Sequence, residues 1–267
     1  MERSEWSGLV RGRRTDPGGV PTITTPYPGG TSWGGPFEAI DDDGRSYYVK
    51  ALGTCQPGGE ASLAIELVVA RVGRLIGAPT CETTVIRIPA EFEGHEVSPG
   101  RTLSAGFAHA ALTLVGQVDE RRPALDARDK DDNSRRHVGA YALFDWCVGA
   151  DQQWLHQVDK DATMWSHDHG LYLPPPHNGF WTVGELEVWV DRANPLPDAA
   201  DGLDGDVVEA TAKALEDLDR DGLVGVLCAV PASWPVDDED LEALDGSFKP
   251  GHPASLSACV RWSDPGW

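Results

Sequence analysis

A lysine at the end of an apolar strand and a glutamate on the apolar face of the next helix constrain this chain most. Lys50 closes the run Tyr47-Tyr-Val-Lys50, and strand alternation puts Tyr48 and Lys50 on one face. Glu60 to Ile76 then carries Leu63, Glu66, Leu67, Ala70 and Arg74 at helical spacing, with Gly77 as a stop and Pro79 beyond it. Glu66 thereby sits where a bare carboxylate is costly to desolvate, while Lys50 needs an anion. An ion pair of Lys50 with Glu66 answers both needs. A surface lysine beside a half-exposed glutamate is the plainer alternative.

Other elements fall into order around this pair. Residues 1–30 are rich in Pro, Gly and Thr and read as a loosely ordered lead-in. Gly29-Gly-Thr-Ser-Trp-Gly-Gly35 reads as a flexible loop that exposes its backbone. Phe37–Ile40 and Tyr47–Lys50 read as two strands joined by an Asp41-Asp-Asp-Gly44 turn. Thr83–Pro89 and Ala111–Val118 supply two more, so residues 31–120 read as an α+β unit.

Residues 121–267 read as a second, mainly helical unit. Asp119–Arg136 is charged and reads as a loop or solvated helix, followed by an apolar helix over Val138–Val148. Gly149-Ala-Asp151 and a polar stretch to Ala162 lead into a short strand ending at Trp165-Ser-His-Asp168. A helical end portion is expected beyond Pro174-Pro-Pro176. There Val207, Val208, Thr211, Leu215 and Leu218 form one face, and Asp237–Leu244 opens on acids that suit a helix N-terminus. Trp146, Trp154, Trp165, Trp181 and Trp189 read as core and cleft wall.

Charge and cysteine usage narrow the function classes. A net charge of −21 over 267 residues repels phosphate backbones and anionic lipid, so neither nucleic acid nor membrane is an expected partner. A nucleotide remains compatible, because local cations and backbone N–H groups outweigh distant screened charge. Five cysteines, none in a C-x-x-C pair, suit reduced thiols in a cytoplasmic protein. No apolar run is long enough for a membrane helix, and the first residues lack the apolar core of a secretory signal.

Asp151 and Asp168 are the second constellation. Both lie in loops flanking a short hairpin, so they can meet at one cleft, one holding a metal and the other accepting a hydroxyl proton. Two ordinary turn aspartates are the bland reading. His167-Asp168-His169 also imitates part of a metal-dependent phosphohydrolase, but no second His/Asp partner has matching spacing. Asp217-Leu-Asp-Arg-Asp221-Gly222 imitates a calcium loop whose closing glutamate position is Cys228, which reads instead as a helix end. Neither G-x-x-x-x-G-K-[ST] nor G-x-S-x-G occurs.

A glycine-rich loop, a strand ending in lysine, a helix with a glutamate, Asp151 and Asp168-His-Gly170 form the succession of parts found in protein kinases. More narrowly, the chain resembles the HipA-like kinase family. Tyr47-Tyr-Val-Lys50, the run from Glu66 to Gly77-Ala-Pro79, Leu143-Phe-Asp-Trp-Cys-Val-Gly-Ala-Asp151 and His167-Asp-His-Gly170 carry the resemblance, over residues 33–175.

The resemblance implies a two-lobed protein-kinase-like fold, with a small β-rich N-lobe holding one key helix and a mainly helical C-lobe. It implies ATP with Mg2+, or Mn2+, and transfer to a serine or threonine of a protein whose surface is neutral or basic. Lys50 would bind phosphates and Glu66 would hold it; Asp151 would position the acceptor hydroxyl and Asp168 would chelate the metal. Gly30, Thr31, Ser32, Gly34 and Gly35 would cover the nucleotide. His156 stands where the family has asparagine as second metal ligand. Imidazole suits magnesium poorly, and Gln153 or Gln157 offers a carbonyl oxygen instead. A weakly active nucleotide-binding pseudokinase or scaffold, and a small-molecule kinase, are the alternatives.

Overall fold

Strand formation begins inside the segment expected to be a loose lead-in. In the computed structural model, which describes residues 6–121, 124–173, 183–189 and 192–248, β1 (Ile23–Pro26) pairs antiparallel with β2 (Phe37–Asp41). Upstream of it Trp6 and Val10 are buried in the core. Arg14 pairs with Asp238 at 2.8 Å and donates to the carbonyls of Val230, Pro231 and Val236. Isolated apolar residues among prolines and glycines show no period, so composition concealed this packing.

The β2 strand turns into β3 (Ser46–Lys50) at Asp41–Gly44, as expected. There Asp41 Oδ1 accepts the N–H groups of Asp43 at 3.0 Å and Arg45 at 2.7 Å. Helix α1 (Ser62–Leu75) follows, then β4 (Thr83–Ile88), a small hairpin of β5 (Glu96–Ser98) and β6 (Arg101–Thr102), and β7 (Gly106–Leu112). The sheet order is β1-β2-β3-β7-β4, antiparallel throughout.

One sheet face buries Phe37, Ala39, Tyr47, Val49, Ile86 and Ala108 against Val97 and Leu103. The other takes α1, which is buried without a break from Ser62 to Ala70 because the helical lobe covers its far side.

The link between the two sheets falls where one strand was expected. β7 stops at Leu112, and β8 (Val118–Arg121) belongs to a separate sheet, so Ala111–Val118 is not one strand. Gly116, at φ +101°, and exposed Val115 lie in the link between them. Next come α2 (Asn133–Trp146), whose first turn takes residues expected in the charged loop, then β9 (Trp154–Gln157) and β10 (Thr163–Ser166). The three strands run β10-β9-β8.

Helices α3 (Val183–Trp189), α4 (Gly205–Glu216), α5 (Arg220–Cys228) and α6 (Asp238–Ser247) complete the lobe. Asp219 caps α5 by accepting from the N–H groups of Asp221 and Gly222, which makes the calcium-loop imitation a helix start. Pro174–Pro176, Trp181 and Cys259 lie outside the described residues, and the other four cysteines are free thiols. Among the described residues no helix is long and apolar enough to cross a membrane.

Candidate functional site

The expected ion pair is present and has a third member. Lys50, at the end of β3, donates to Glu66 on α1 and to Asp168 just after β10. Glu66 is 2% exposed. Its other oxygen accepts the His169 N–H at 2.8 Å, so one buried carboxylate joins the sheet lobe to the loop that carries Asp168.

Burial pushes Glu66 up to about 7 despite the adjacent ammonium. Burial also opposes the charge on Asp168, but Lys50, its hydrogen bonds and His167 outweigh that and hold the carboxyl well below the usual range. For Lys50, burial works against the ammonium, and Glu66 with Asp168 more than reverses it, raising its pKa. The cation therefore stays charged among two carboxylates of unlike character, one easily protonated and one firmly ionised.

The chain after α1 explains how Asp168 arrives there. Ser166 N–H donates to Pro79 O at 2.8 Å, and Cys81 N–H donates to Ser166 O at 3.1 Å, tying the end of β10 to the link between α1 and β4. Asp168 then adopts φ +54°, a left-handed conformation that an aspartate tolerates and a functional loop often holds. The His169 ring meets Ser166 Oγ at 2.8 Å and stands edge-on to Tyr172, and burial lowers its pKa to about 3. At Gly170 a Cβ would lie 3.0 Å from Glu66 Oε1 and 3.2 Å from Ser62 Cβ, which accounts for the small residue in Asp168-His-Gly170.

The glycine-rich loop is the turn between β1 and β2. Tyr27 N–H donates to Glu38 O, Gly30 N–H to Pro36 O and Gly35 N–H to Ser32 O, narrowing the hairpin toward its tip. Gly34 lies over Lys50: a Cβ there would sit 3.2 Å from Lys50 Cε and 3.4 Å from Nζ. Thr31 and Ser32 are exposed at the tip.

Asp151 is half-buried and lies in the loop between α2 and β9. Gln153 Nε2 donates to its Oδ2, while Gln153 O accepts the His167 N–H at 3.5 Å, so Gln153 connects the Asp151 loop to the Asp168 loop. That loop also holds Val148 at φ +49°, an uncommon conformation for a β-branched residue. Asn194, which the sequence did not single out, pins it: its N–H donates to Asp145, and its side chain donates to Gly149 O at 2.9 Å. Asp145 is part of the motif that ends in Asp151, but its partner lies far along the chain and left no local signal.

His156 does not join this group. The chain enters β9 at Trp154, so His156 is already inside the strand, fully buried, and its nearest acid is Asp126 at 3.6 Å. Burial, with Arg121 nearby, lowers its pKa. The expectation of a histidine metal ligand is corrected: counting residues from Asp151 passes the loop's end, where Gln153 sits. Gln157 is also engaged elsewhere, with Val115 O and the Trp165 indole.

Among the described residues no group of three or more His, Cys, Asp or Glu is arranged to hold a metal by itself. Asp168, Asp151 and Gln153 carry oxygen donors of the hard kind that magnesium prefers, and the Gln153–His167 hydrogen bond connects the two loops that bear them. The residues present fit such an ion when it arrives with a nucleotide.

The chain has a two-lobed protein-kinase-like fold: a five-stranded antiparallel sheet with one central helix, and a mainly helical lobe. The solved structure of the Helicobacter pylori proinflammatory kinase CtkA is similar at TM-score 0.59 and 10% identity, covering 91% of this chain and 99% of that one. A structure of the Golgi casein kinase matches at TM-score 0.50 and 11% identity over 98% of this chain and 77% of that one. The same kinase with Mn/ADP bound matches at 0.50 and 10% over 100% and 78%. No protein-family model and no curated protein matches the chain.

Proposed function

We propose that this chain is an ATP-dependent phosphotransferase of the HipA-like kind, moving the γ-phosphoryl group to a serine or threonine hydroxyl of a protein. The observation that carries the reading is the convergence of Lys50, Glu66 and Asp168 beneath Gly34 of the glycine-rich loop. A half-buried lysine kept charged by two carboxylates, under a loop of exposed backbone, suits the phosphates of a nucleotide. The Mn/ADP complex of a kinase with the same fold is in keeping with a nucleotide and a divalent ion.

Each residue then has a task. Lys50 binds phosphate oxygens while Glu66 fixes its position through the His169 N–H as well as the ammonium. Asp168 holds Mg2+, or Mn2+, which when bound neutralises charge on the phosphates. Asp151 orients the acceptor hydroxyl and accepts its proton as the oxygen attacks the γ-phosphorus, and the bond to the β-phosphate oxygen breaks. Gln153 keeps Asp151 aimed and replaces His156 as the candidate second metal contact. The acidic surface favours a neutral or basic protein acceptor over nucleic acid or anionic lipid, and a cytoplasmic setting belongs to the same proposal.

A nucleotide-binding chain with little transfer activity is the second reading, favoured by the Gln153 amide engaging the carboxylate that would take the proton. Incubation with γ-labelled ATP and Mg2+ or Mn2+, beside Asp151→Asn and Asp168→Asn, separates the two. Label incorporated by the wild type and lost in both variants supports the phosphotransferase. Tight nucleotide binding without transfer supports the second reading, and transfer surviving both substitutions contradicts the assigned roles.

A further inference from the structure

The β5–β6 hairpin has no part in the reaction above, yet it is bonded to the loop over Lys50 at several points. Arg101 is 8% exposed and donates through Nη1 to Thr54 O at 2.8 Å and through Nη2 to Thr31 O at 3.0 Å. Gly29 N–H donates to Val97 O at 2.7 Å. At Gly35, φ is +53°, and a Cβ would lie 2.0 Å from Thr54 O and 2.2 Å from Arg101 Nη1, so the loop closes directly on the guanidinium. The tip is held from the other side, where Gln56 N–H donates to Trp33 O at 3.0 Å and the Trp33 ring packs on Gly59. Val97 and Leu103 root the hairpin in the sheet core.

We infer that this hairpin is a clamp that sets the height of the glycine-rich loop above Lys50, with Arg101 as the positioning residue for the phosphates of the bound nucleotide. The inference rests on the nucleotide-site reading and extends it to a residue that touches no substrate. Among the described residues the N–H groups of Thr31, Ser32, Trp33 and Gly34 have no protein acceptor, so they are free to bond an anion bound beneath the loop. By donating to Thr31 O, Arg101 polarises the peptide whose N–H belongs to Ser32, and it adds positive charge behind the loop. Its planar fork reaches two carbonyls on different segments at once, which the single ammonium of a lysine does not reproduce.

The test uses the whole chain with Arg101→Lys and Arg101→Gln. Calorimetry reads the affinity for ADP with Mn2+ or Mg2+, and amide hydrogen exchange without nucleotide reads the bonded N–H groups of Gly29, Gly30 and Gly35. The clamp predicts faster exchange in the loop for both variants and nucleotide binding about tenfold weaker for Arg101→Lys, as loss of one charge-assisted bond implies. It predicts a greater loss for Arg101→Gln. Unchanged loop exchange in the folded Lys variant overturns the clamp, and faster exchange with unchanged affinity overturns its role in positioning phosphate. A wild type that binds no nucleotide contradicts the phosphotransferase reading, while the exchange measurement still decides whether Arg101 clamps the loop.

Discussion

Replacing Glu66 by Gln and Lys50 by Met, singly and together, tests whether the Lys50–Glu66–Asp168 triad acts as a unit. The Glu66 carboxylate serves two donors, Lys50 and the His169 N–H, from a position 2% exposed. A glutamine has the same shape but only one acceptor oxygen, and its amide hydrogens face one of the donors. Loss of a charge-assisted bond costs roughly 2 kcal/mol and a stranded buried donor another 1–2. Glu66→Gln is therefore expected to lose about 3 kcal/mol, which lowers Tm by about 6–12 °C for a chain of this size.

Lys50→Met leaves two carboxylates without their cation, and Glu66, already pushed up to about 7 by burial, takes the proton. The folded state then keeps a proton that the unfolded chain releases above its ordinary carboxylate pKa. Stability of Lys50→Met must accordingly fall as pH rises from 5 to 8, by up to about 1.4 kcal/mol per unit. Urea unfolding of the wild type, both single variants and the double variant gives the coupling, expected near roughly 2 kcal/mol in favour of the double variant. Additivity within about 0.5 kcal/mol refutes the triad.

Two other outcomes follow from the same geometry. Gly170→Ala sets a methyl 3.0 Å from the Glu66 oxygen that holds Lys50, so calorimetry is expected to show weakened nucleotide binding, with a stability loss of about 1–2 kcal/mol. Unchanged binding contradicts the contact. The pH profile of the wild type is set largely by His109, His137 and His169, which burial first, and nearby cations second, lower to about 3. Since the unfolded chain takes up protons below about 6.5 and these buried rings do not, stability is lost as pH falls. From pH 7.5 to 5.5 the three rings lose about 4 kcal/mol, while Glu66 and the raised, half-buried Asp240 titrate the other way and together offset about 2–3. Urea midpoints at the two pH values check the net loss, and a midpoint that rises on acidification contradicts it.

Lys50, Glu66 and Asp168 were legible because each carries its own physical demand: a charge ending an apolar strand, a charge on an apolar helix face, an aspartate before His-Gly. Strands with clean alternation and the helix after Gly59 were legible for the same reason. β1 and the packing of Trp6, Val10 and Arg14 were not, since short apolar stretches amid proline and glycine carry no period, and Val10 and Arg14 bond to residues more than two hundred positions away. His156 misled because counting along a motif assumes a loop length. Here the strand begins at Trp154 and turns residue 156 into the core. Arg101 and Asn194 act through backbone carbonyls of distant segments, a kind of contact that leaves no mark in local sequence.

Titration of ATP with Mg2+ or Mn2+ into the wild type, Lys50→Met and Asp168→Asn tests the central claim most directly. The account predicts saturable one-to-one binding by the wild type. Lys50→Met should weaken it with or without the metal, whereas Asp168→Asn should abolish only the part that depends on the metal. Equal binding by all three proteins, or none by a folded wild type, contradicts a nucleotide site built on Lys50, Glu66 and Asp168.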